Sequence, residues 1–126
     1  VRRYDDEGLF LALREIEARR ADGDEAATLA FDLFCYRARK YLGAYAAAMG
    51  GVDAVLFAGG IGENQPEVRA EALRGLEFMG LRLDPERNAA VRGQEGEITT
   101  ADSPVKALVV PTNISSVGAV TPSGEA

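Results

Sequence analysis

The stretch of this 126-residue chain best suited to holding a ligand is Gly59-Gly60-Ile61-Gly62-Glu63-Asn64. Glycine has no side chain, so a flat base or a sugar can lie directly against such a backbone. Glu63 and Asn64 then stand where they can hydrogen-bond to polar edges of the ligand. Two phosphate-gripping patterns are excluded. No Gly-Lys-Ser/Thr follows, as a P-loop requires, and the Gly-x-Gly-x-x-Gly spacing of a dinucleotide fold is absent. The competing reading is a glycine-rich turn with Asn64 capping the next helix.

Other side chains offer less. The chain has no histidine, which removes imidazole acid–base chemistry, histidine-ligated metals and a serine–histidine–aspartate triad. Cys35 lies between Phe34 and Tyr36, the setting of a buried, inert thiol. Asp22, Asp24 and Glu25 are spaced as a solvated helix cap and not as a calcium loop. Arg37, Arg39 and Lys40 read as a solvated helix face, and Tyr36, Tyr41 and Tyr45 as core or interface packing.

The whole composition narrows the function classes. Hydrophobic content of 47% and charged content of 27% suit one ordinary domain. The net charge of -6 argues against a nucleic-acid groove. No apolar run approaches the ~18 residues of a membrane span, no signal peptide is evident, and one cysteine forms no internal disulfide. A cytoplasmic location is expected, with no membrane or nucleic-acid partner.

The elements that must position the glycine stretch follow from periodicity. Residues 14–20 favour helix, while 8–13 are apolar and atypical. Asp22 or Asp24 caps a long helix over 25–49. Its predicted apolar face holds Leu29, Leu33, Tyr36, Ala44, Tyr45 and Ala48, widened by Ala30, Phe34 and Tyr41, and Gly50 ends it. Residues 52–58 are a buried strand. A helix starting at Pro66 carries the stripe Val68, Ala72, Leu73, Leu76 and Met79 to about Gly80. Residues 80–85 suggest an edge strand, 86–91 one helical turn, 97–100 a short strand and 105–110 a second buried strand. From residue 114 the pattern collapses to a loose tail.

Gly-Gly-Ile-Gly-Glu-Asn behind an apolar strand resembles the adenosine-binding segment of the acetate kinase family. The resemblance continues through residues 37–49 before the strand, through Glu67-Val68-Arg69 and residues 75–80 after it, and through Asn88, Val91-Arg92-Gly93 and Val109-Val110-Pro111-Thr112-Asn113. It implies an α/β fold: the C-terminal part of an actin/sugar-kinase/Hsp70-like (ribonuclease H-like) domain, with a short mixed sheet packed by two main helices. Residues 1–113 are then a partial nucleotide-binding domain and 114–126 a divergent tail. The implied reaction is phosphoryl exchange between ATP and acetate, with Mg²⁺. The implied nucleotide-binding residues are Gly60, Ile61, Gly62, Glu63, Asn64 and Arg14, and the implied partners are an adenine nucleotide and either a second copy or a missing N-terminal half. Three departures matter. Ala12 stands where the family has aspartate, Ile114 and Ser115 stand where it has a glutamate pair tied to Mg²⁺, and the family's catalytic residues fall outside this sequence. An inactive adenosine-binding wall is therefore expected. The alternatives are a non-catalytic nucleotide-binding or dimerisation module and a non-functional gene fragment.

Overall fold

Helix α1, Asp6–Ala21, opens the described part of the chain and packs on α2, Glu25–Met49. The computed structural model describes the backbone of residues 6–111 and 116–120, and the side chains of 12–111. Between the two helices, Asp24 accepts a hydrogen bond from the Ala27 amide at 3.1 Å, which satisfies one of the free donors of the first turn. Of the two candidate caps, Asp24 is therefore the one used. At the other end Gly50 turns left-handed at φ 75°, and its amide bonds back to Ala46 and Ala47.

Strand β1, Ala54–Ala58, runs straight into α3, Gly59–Asn64, and then α4, Pro66–Leu73. A 3-10 turn at Glu77–Met79 leads to α5, Pro85–Ala90, and to β2, Gly96–Glu97, β3, Lys106–Val110, and β4, Ser116–Val120. The sheet order is β2-β3-β1-β4. β1 and β3 are parallel, Leu56 opposite Leu108, and the outer pairings are antiparallel. The α/β fold with a short mixed sheet is thus as expected. Val55, Phe57, Ala107 and Val109 alternate into the main core, where they meet Leu42, Leu73 and Leu76. A second cluster of Leu13, Phe31, Cys35, Ile61 and Val68 joins α1, α2, α3 and α4.

Several expectations are corrected. The glycine stretch, read as a tight turn, is the short helix α3. The helix after Pro66 ends at Leu73, not near Gly80, because Gly75 turns left-handed at φ 88°. Residues 80–85 contribute only isolated bridges, Leu81 to Val105 and Leu83 to Thr99. The predicted 97–100 strand is limited to Gly96–Glu97. The tail expected to be loose contains β4, which pairs with β1; its remaining residues lie outside the described ones.

The largest correction concerns α2. Its buried residues are Ala27, Phe31, Cys35, Leu42 and Ala46, while the predicted core face is outside: Leu29 is 70% exposed and Tyr41 64%. The helix has two apolar stripes. Periodicity detects both, and only packing against α1 and α4 selects which is buried.

Candidate functional site

The glycine stretch packs closely on Phe57. A Cβ on Gly62 would lie 3.0 Å from the Phe57 carbonyl carbon, so α3 folds back tightly on the strand that precedes it. Asn64 closes the turn by donating from Nδ2 to the Gly60 carbonyl at 3.1 Å. It therefore bonds back into α3 and gives no side-chain cap to α4.

What holds this corner is Arg69, which is 0% exposed. Its Nη1 donates to the carbonyls of Gly62 at 2.8 Å and Glu63 at 3.2 Å. Its Nη2 donates to the carbonyls of Asn88 at 2.7 Å and Val91 at 2.6 Å, and Nε to Asn88 Oδ1 at 2.9 Å. Asn88 Nδ2 in turn donates to the Pro66 carbonyl at 2.8 Å. None of these acceptors is a carboxylate, so carbonyl dipoles alone solvate the charge. Burial, and then the nearby Arg92 charge, lowers the Arg69 pKa to about 10, which leaves it protonated at neutral pH. The Gly93 amide adds a bond to the Glu63 carbonyl at 2.9 Å. The loop after α5 is thus fastened to the corner on both sides of Arg92.

Beside the corner opens a polar cleft of about 600 Å³ lined by Arg14, Glu17, Asn64, Gln65 and Arg92. Arg14 and Glu17 are three residues apart on α1 and so share a face. Leu13, 2% exposed, anchors that helix in the second core cluster. The Arg20–Glu67 ion pair, 2.9 Å, ties α1 to α4 beside the cleft. Burial raises the Glu17 carboxyl pKa above its ordinary value, as does the Glu67 charge; Arg20, Arg92 and Arg14 oppose the rise.

Of the six residues singled out from the sequence, Arg14 and Asn64 meet in the cleft. Ile61 points into the core, 5% exposed, Gly62 is buried against Phe57, and Gly60 and Glu63 offer carbonyls to Asn64 and Arg69. Sequence reasoning assigned no role to Glu17, Gln65, Arg69, Asn88 or Arg92. Arg69 did carry a signal: a charged residue beside Val68 and near Ala72 and Leu73 on an apolar stripe must be paired if that stripe is buried. Ile114 and Ser115 lie outside the described residues. Among the described residues, no group of three or more acidic or cysteine side chains is placed to hold a metal ion. Nor, among them, is any helix long and apolar enough to cross a membrane.

The profile of the acetokinase family matches residues 7–119. The chain is 53% identical over 106 residues to the acetate kinase of Bacteroides thetaiotaomicron, covering 84% of this chain and 27% of that protein. It is 54% identical over 100 residues to the acetate kinase of Carboxydothermus hydrogenoformans, covering 79% and 25%. Among solved structures, the Porphyromonas gingivalis acetate kinase matches with a TM-score of 0.77 at 50% identity, over 79% of this chain and 25% of that one. A Francisella tularensis propionate kinase matches at 0.70 and 32% identity, over 80% and 25%. The chain spans about a quarter of the length of the curated relatives it matches.

Proposed function

The chain belongs to the acetokinase family, and we propose that it forms one wall of an ATP site of the acetate-kinase type, where it holds the adenosine end of the nucleotide. The observation that carries this reading is the polar cleft, in which Arg14 from α1 meets Asn64 from the glycine corner. Gly60 and Glu63, both half-buried, stand at the surface of the corner, while Gly62 contributes by letting α3 pack closely on Phe57. Ile61 contributes by anchoring α3 in the core. Arg14 is exposed and cationic, suited to a nucleotide's anionic or π-rich parts.

Phosphoryl exchange between ATP and a short carboxylate is then the reaction of a longer assembly. Acetate is the first candidate. The likeness to a propionate kinase keeps the next homologue open, because the carboxylate pocket is not among these residues. Mg²⁺ accompanies the nucleotide and takes its protein ligand from elsewhere. Phosphoryl transfer needs charge stabilisation around in-line oxygens, and no residue described here is assigned to that task. Calorimetric titration of the 126-residue chain with ADP tests the reading. Binding that weakens at least tenfold in Arg14→Gln supports it. An Arg14→Gln chain that binds as tightly as wild type sinks it.

A second reading has its own observation. The outer face of α2 exposes Leu29, Leu33, Tyr36, Tyr41 and Tyr45, with Tyr41 and Tyr45 stacked at 6.3 Å. Such a face favours self-association. Sedimentation equilibrium decides it: a dimer that Leu33→Glu dissociates supports this reading, and a monomer at all concentrations refutes it.

A further inference from the structure

We propose that Arg92 is a second anion-binding arm of the cleft and that, opposite Arg14, it takes a phosphoryl group of the bound nucleotide; this rests on the nucleotide reading above. Arg92 lies on the loop after α5, far in sequence from the glycine corner, yet it lines the same cleft as Arg14 and Asn64. Its backbone is held on both sides. The Val91 carbonyl accepts from Arg69 at 2.6 Å, and the Gly93 amide donates to the Glu63 carbonyl at 2.9 Å. A long side chain on a backbone pinned this way loses less freedom on meeting a ligand than one on an untethered loop.

The charge distribution points to an anion. The lining carries two guanidinium groups, Arg14 and Arg92, and one carboxylate, Glu17. Burial already disfavours the ionised form of that carboxylate. Behind the lining lies Arg69, a buried cation whose partners are carbonyls, close enough to Arg92 for the two charges to oppose each other. The flanking Arg20 and Glu67 neutralise one another at 2.9 Å. Among the described residues Arg92 forms no ion pair, whereas Arg82 and Arg87 each reach a carboxylate. Two guanidinium groups facing one carboxylate leave a net positive charge, which a ligand that brings negative charge relieves. The planar guanidinium of Arg92 matches the oxygens of a phosphoryl group.

The test compares ADP, adenosine and inorganic phosphate by calorimetry on the wild-type chain and on Arg92→Gln and Arg92→Lys. Arg92 is exposed and off the core, and the unfolding midpoint of each variant verifies that it folds. The expected result is at least tenfold weaker ADP binding in Arg92→Gln, with adenosine changed less than twofold. Arg92→Lys should fall between, and wild-type ADP binding should weaken with added salt. The assignment is overturned if ADP affinity in Arg92→Gln stays within twofold of wild type, or if adenosine and ADP weaken equally. Inorganic phosphate that binds wild type and is lost in Arg92→Gln, with no ADP binding, keeps the phosphoryl site and overturns the nucleotide reading. A wild-type chain that binds none of the three overturns both.

Discussion

At the scale of single residues, Arg69 organises more of this molecule than any glycine does. It gathers carbonyls from α3, from α5 and from the loop beyond, and so fastens two segments that contribute to the cleft. Replacing it with methionine keeps bulk but leaves the carbonyls of Gly62, Asn88 and Val91 without that donor. We expect a loss of about 3 kcal/mol, read as a lower urea midpoint. Cys35 gives a second prediction. It is 1% exposed, and burial first, then the charges of Glu71 and Asp32, push its thiol from an ordinary 9.0 up to about 12. A chromogenic disulfide reagent should leave it unmodified at pH 8 until urea unfolds the chain. The linkage has a definite sign. The unfolded thiol ionises first, so this contribution to stability is complete below 9.0 and is lost as pH rises towards about 12. Cys35→Ala should flatten that alkaline loss in urea titrations.

At the scale of elements, α2 shows how far pattern reading goes. Its length, its Asp24 cap and its glycine stop follow from local chemistry. Asp24→Ala should cost about 0.5–2 kcal/mol, because only the first-turn amides lose a partner; thermal unfolding measures it. Which stripe of α2 faces inward was not legible. Phe31 and Cys35 are no more apolar than Leu29, Leu33 and Tyr36, and the choice belongs to the helices α1 and α4 that cover one side. The same limit explains β4. Small residues such as Ser116 and Gly118 carry little strand signal of their own, and their pairing depends on the open edge of β1.

At the scale of the whole molecule, the chain spans about a quarter of the length of the relatives it matches, and the function proposed above gives it one face of a site. We expect the isolated 126-residue chain to form no acetyl phosphate from ATP and acetate, whatever its affinity for ADP. Trapping any acetyl phosphate as its hydroxamate checks this, and product above the uncatalysed background would refute it. Much of the fold was readable: the helix over residues 25–49 and the two buried strands that became β1 and β3 were expected. Two of the five residues that line the cleft, Arg14 and Asn64, were singled out from the sequence. Those features are written locally, in caps, apolar runs and glycine spacing, or in the family pattern these carry. Arg69 and Arg92 stood in the family pattern without a role and Glu17 outside it, and what the three do became visible only once the chain had folded. Their roles depend on which groups stand opposite them across 19 to 22 residues of intervening chain in the case of Arg69, and on distant elements in the case of Arg92. Sequence alone determined the family resemblance and the position of the glycine corner, because both are read from residue types and their spacing along the chain. Tertiary structure alone decided which α2 stripe is buried, what holds the corner and which charges share the cleft, because burial and Coulomb interaction depend on distance in space.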